Sequence, residues 1–147
     1  MTQSEQLASA IENIKKMLSK HQPVMAIPRS EFIILRVISE CENPQIKISD
    51  ISHKLSISNA AVSQMIASLE DKQLVRRVTT DTDRRIVYIV LTDKGQKILK
   101  EASIMLSKFM DIMVANLGNK DSEDLIRILN KLQLLLEEGT ICHEINN

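Results

Sequence analysis

The sequence predicts a mainly α-helical, α+β fold in which two short helices joined by a tight turn lead straight into a β-hairpin. Three observations carry this. Apolar residues repeat at helical spacing along most of the 147 residues. The period switches to that of strands between Leu74 and Leu91, around the turn "DTDR". Three Gly and three Pro are too few for an all-β chain, which needs many tight turns.

Taken in order, the first helix covers about Glu5 to Lys20, with Leu7, Ile11, Ile14 and Leu18 on one face. Pro23 and Pro28 bracket a connector, and Ser30 is the expected cap of a second helix that runs to about Glu40. Ile46 to Ile48 suits a short strand. Ser49 is the expected cap of a helix from Asp50 to Leu55, and Ser58 that of a longer one from Asn59 to Gln73. These two helices and their turn make a helix-turn-helix. The hairpin follows over about 74–91, so the unit is a winged helix. Thr92 caps a helix whose apolar positions, among them Leu106 and Phe109, alternate by four and three. Asp121 or Ser122 caps the last helix, with Leu125 and Leu132 on its seam and Gly139 ending it. Seams this long and regular imply partner helices. The expected division is 1–28, a dimerisation helix and connector; 29–92, a winged helix-turn-helix lobe; and 93–147, C-terminal dimerisation helices.

Composition narrows the chemistry. Aromatic content is 2%, so the core is aliphatic, and formal net charge is zero. The charge is unevenly placed: five basic residues against two acidic from Lys72 to Arg85, but two basic against six acidic from Asp121 onward. Cys41 and Cys142 have no motif spacing and are expected as reduced thiols. No signal peptide or membrane-length apolar run is visible, so a cytoplasmic protein is expected. There is no Gly-rich phosphate loop, no nucleophile motif and no paired metal-ligand motif, and His21, His53 and His143 are scattered. The expectation is no enzyme, no cofactor and no metal.

The second helix of the helix-turn-helix carries the candidate site. Val62, Met65, Ile66 and Leu69 form its buried face. The opposite face holds Ala60 and Gln64, flanked by Asn59 and Ser63. Short side chains let a helix enter the major groove, and an amide such as Gln64 can bond adenine with both its groups. Ser58 and Asn59 stand where backbone N–H groups can take phosphate. At the hairpin tip, Arg84 and Arg85 are placed for the minor groove, with Asp83 orienting one of them. Lys47, His53, Lys54, Lys72, Arg76 and Arg77 are candidate phosphate contacts from the edges. Arg76 and Arg77 point to opposite faces of their strand, and alternation alone does not say which faces phosphate.

"DRR", five residues, then "LTDKG" resembles the wing and following helix start of the MarR (multiple antibiotic resistance regulator) family, and "ISDISHKLSISNAAVSQMIASLEDKQLVRRV" is similar to that family's helix-turn-helix and lead-in to the wing. The resemblance implies a homodimeric, sequence-specific regulator of transcription that binds double-stranded DNA, most often a repressor on a pseudo-palindromic operator, and often released by a small-molecule effector whose identity here is unknown. It implies a dimer interface from the first and last two helices, with Leu7, Ile11, Ile14, Leu106, Phe109, Leu125 and Leu132 as candidates. Gln73 stands where the family usually has Gly, so a positive φ there would strain it. Gln64 stands where a basic residue is frequent. The alternative is a winged-helix module that binds protein and not DNA, favoured by the zero net charge.

Overall fold

The computed structural model describes residues 1–21, 23–42, 45–82 and 84–138. Six helices and one hairpin follow in the order α1 (Gln3–Lys20), α2 (Arg29–Ser39), α3 (Ile48–Leu55), α4 (Asn59–Asp71), β1 (Val75–Thr79), β2 (Val87–Leu91), α5 (Asp93–Leu117) and α6 (Asn119–Glu137). The chain forms two compact units, one from Met1 to Leu106 and one from Ser107 onward.

α1 opens on a reciprocal cap. Thr2 Oγ1 accepts from the Glu5 N–H at 3.2 Å and Glu5 Oε2 accepts from the Thr2 N–H at 2.7 Å. α2 begins two residues earlier than Ser30 would set it. The Pro28 carbonyl takes the first helical bond, from Phe32 N–H at 3.0 Å, and Ser30 lies inside the first turn. α3 is likewise capped at Lys47 and not Ser49, because the Lys47 carbonyl accepts from both Asp50 and Ile51 while the Asp50 carboxylate accepts from the Lys47 N–H. The strand expected over Ile46 to Ile48 is a single bridge, Ile46 to Ile89, since Ile48 is already helical. α6 starts at Asn119, not after Asp121 or Ser122: Gly118, at φ 80°, breaks the helix and sits at the cap. Gly139, expected to end α6, lies outside the described residues.

The core of the first unit is aliphatic. Ile34, Leu35, Ile51, Val62, Ile66, Leu69 and Ile89 are fully buried, with Phe32 and Leu74 beside them. Burial of side chains this size contributes about 2 kcal/mol each, so the core fixes α2, α3 and α4 against the hairpin. β1 and β2 pair antiparallel from Val75 opposite Leu91 to Thr79 opposite Val87.

The turn from α4 into β1 and the start of α5 are built as one knot. Gln73 has φ 62°. Its carbonyl accepts from Thr92 Oγ1 at 2.7 Å, and the same hydroxyl caps α5 by accepting from Gly95 N–H at 3.0 Å. The Thr92 N–H donates to the Leu74 carbonyl at 3.1 Å, and Lys94 Nζ donates to the Lys72 carbonyl at 2.9 Å. Gly95 packs so tightly on Leu74 that a Cβ there would lie 2.0 Å from the Leu74 carbonyl oxygen.

Candidate nucleic-acid interface

Ser58 caps α4 by accepting from Ala61 N–H at 3.1 Å. This leaves the N–H groups of Asn59 and Ala60 pointing out of the helix start, at the positive end of its dipole. Val62, Ile66 and Leu69 are buried and Met65 is half-buried, which turns Ala60, Gln64 and Ala67 outward. All three are exposed, and Ser63 is half-buried beside them. The outward face of the first two turns therefore carries no charge and no side chain longer than Gln64.

Arg84 and Arg85 are both exposed at the hairpin tip. Asp83, expected to orient them, lies outside the described residues. Arg77 is exposed but engaged in an ion pair within the lobe, Nε to Glu70 Oε2 at 2.9 Å. It ties β1 to the C-terminal half of α4, so Arg76, exposed on the other face of the strand, is the better placed of the two for an outside contact. Lys72 is also removed from the edge contacts. Its Nζ reaches both oxygens of Glu31, at 2.6 and 2.8 Å, and Ser68 Oγ donates to the same carboxylate at 2.7 Å. Glu31 is only 5% exposed. A buried carboxylate satisfied in this way pins α4 to α2, a role the sequence did not signal.

The other candidates divide. His53 is exposed near the end of α3. Lys54 Nζ donates to Cys41 Sγ at 3.7 Å, and Lys47 Nζ lies 5.9 Å from the centre of the Tyr88 ring. Both can swing outward, but neither is pre-aimed. Asn59 Oδ1 accepts from Ser52 Oγ, so its amide is braced by α3 with the NH₂ left to donate.

Among the described residues no group of three His, Cys, Asp or Glu could hold a metal ion, and no helix is long and apolar enough to cross a membrane.

Residues 27–87, from the connector through the wing, match the family model described as "MarR family". Over that stretch, 61 of the 147 residues, the chain is similar to the MarR family. Similarity to other proteins runs over a longer stretch. The helix-turn-helix-type transcriptional regulator YdgJ of Bacillus subtilis strain 168 is 27% identical over 124 residues, 84% of this chain and 74% of YdgJ. Among solved structures, Staphylococcus aureus MarR in complex with salicylate and kanamycin superposes with a TM-score of 0.76 at 21% identity, covering 92% of each chain. Streptococcus pneumoniae FabT in complex with DNA does so at 0.69 and 23% identity, covering 92% of this chain and 95% of FabT. The fold is thus the MarR winged helix. The relatives this chain is similar to are helix-turn-helix-type transcriptional regulators.

The positions of the dimerisation candidates can be stated one by one. Leu7, Ile11 and Ile14 are 61%, 48% and 53% exposed, and α1 buries none of its residues. Leu125 is also exposed. Phe109 and Leu132 are half-buried, and Leu106 is half-buried against the core of the first unit.

Proposed function

We propose that this chain is a MarR-family homodimeric repressor of a pseudo-palindromic operator, with α4 in the major groove and the hairpin in the minor groove. The observation that carries the reading is the outward face of α4. It is short, uncharged and backed by free N–H groups, and it belongs to the same lobe as a wing tipped with two exposed arginines. Gln64 is assigned to read a base edge, Asn59 and the helix start to hold phosphate, and Arg84 and Arg85 to enter the minor groove. FabT, whose fold this chain shares, is bound to DNA in its structure, which supports the assignment.

The dimer is supported by α1 and α6. A helix with an apolar stripe and no buried residue is marginal in water by itself, and α6 exposes Leu125, Ile128, Leu129 and Leu136. Stripes of this extent call for partner helices. Two lobes related by a two-fold axis place their reading helices about one DNA turn apart and require an inverted repeat. A small effector that favours one lobe spacing would release the operator, and the salicylate on S. aureus MarR supports looking for one.

The test is selection from a random duplex library at two salt concentrations. An inverted repeat, bound more weakly as salt rises because phosphate neutralisation releases counterions, is the expected result. Recovery of no duplex at low salt would overturn the reading in favour of a protein-binding module.

A further inference from the structure

A cavity of about 590 Å³ opens beside the wing, between the end of α2, the last residues of β2 and the second turn of α5. Its size lies within the range that holds small organic ligands. Its floor is apolar and part of the folded core: Ile38 is 2% exposed, and Val90 and Leu99 are 9% exposed. Its rim is polar and carries Lys100, Gln96 and Glu42. Neither the Lys100 ammonium nor the Gln96 side-chain amide has a partner among the described residues. Both lie on α5 four residues apart, so they project from the same side of the helix.

We propose that this cavity is a binding site for a small aliphatic monocarboxylic acid. Lys100 and Gln96 bond the carboxylate at the rim, and the hydrocarbon covers Ile38, Val90 and Leu99. Three features set the chemical class. No aromatic residue lines the cavity, so nothing favours a flat stacked ring over a flexible chain. One lysine supplies one cation for one anionic group. Glu42 stands on the same rim and repels a second negative charge, which selects against diacids. Each methylene laid on the floor adds about 0.8 kcal/mol of transfer free energy, so affinity rises with chain length until the cavity is full. The site is independent of DNA, so its failure and that of the operator reading are separable.

Cys41 also lines the cavity, half-buried, and gives the readout. The experiment follows alkylation of Cys41 by iodoacetamide, a neutral reagent, in a Cys142→Ser protein. Straight-chain monocarboxylates of six to twelve carbons are added below their micelle concentrations, against the matching alcohols, amines and α,ω-diacids. The expected result is saturable protection of at least fivefold that strengthens with chain length and is weak for the alcohols, amines and diacids. In Lys100→Met the protecting concentration should rise about tenfold, each variant being compared with its own unliganded rate. Two results would overturn the proposal: no protection by any monocarboxylate, or protection that the alcohols match and Lys100→Met leaves unchanged. Gln96→Leu, at the exposed rim, serves as a second variant should Lys100→Met fold poorly.

Discussion

Gly95 and Gln73 show how single backbone positions decide the junction between the reading helix and α5. At Gly95 there is no room for a methyl group, because the Leu74 carbonyl occupies its place. Gly95→Ala should cost about 3 kcal/mol, at the upper end of overpacking penalties, and a denaturation midpoint shifted by less than a quarter of that would contradict the packing described. Gln73 is the opposite case. It holds φ 62° at a position that glycine would occupy without strain. Gln73→Gly should stabilise the fold by up to about 1 kcal/mol, the relief of strain less the extra entropy glycine loses on folding. Glu31 and Lys72 form a lopsided pair. The Lys72 side chain is 41% exposed and can turn to water, while that of Glu31 is 7% exposed and cannot. Lys72→Met should therefore destabilise more than Glu31→Gln, by about 1–2 kcal/mol in urea melts, since only the first strands a buried charge.

Among the elements, the proposed reading has the wing and α4 separate affinity from specificity. Arg84→Ala and Arg85→Ala should each weaken every duplex alike and lower the salt slope by about one. Gln64→Ala should leave that slope unchanged and relax preference at one symmetric pair of positions, a loss of about 1–3 kcal/mol of discrimination. A selected-site profile unchanged by Gln64→Ala would assign base reading elsewhere. The order and type of the elements were legible in the sequence because helical and strand periods are local signals, and so was the cap at Ser58. The cap at Thr92 was legible as well, but those of α2, α3 and α6 were misplaced by two to four residues, since at Pro28 and Gly118 the backbone sets the helix start and no side chain bonds it. The pairing of Glu31 with Lys72, 41 residues apart, left no local pattern to find. The hold of Glu70 on Arg77 crosses from a helix to a strand, and neither period registers it. The face of α4 was legible because its three buried residues and the half-buried Met65 recur at helical spacing.

Across the whole molecule, the proposed dimer draws on apolar residues exposed along α1 and α6, among them Leu7, Ile11, Ile14, Leu125 and Ile128. Ile11→Asp combined with Ile128→Asp should yield monomers by sedimentation velocity and abolish inverted-repeat binding, with the lobe still folded, because both side chains are about half exposed in the single chain. Leu106 is a poor choice for the same test: it packs on the lobe core, and a charge there would damage folding as well as association. An intact dimer in the double variant would move the interface off α1 and α6.

The knot that binds Thr92 to Gln73 and Leu74, and Lys94 to Lys72, closes at the foot of the hairpin. None of these bonds involves the described residues between β1 and β2. Lengthening a loop whose ends are held at its foot in this way costs little, about 0.6 kcal/mol per doubling. On the proposed reading, a wing tip of different length or charge would change what the hairpin meets on DNA and leave the frame that carries α4 as it is.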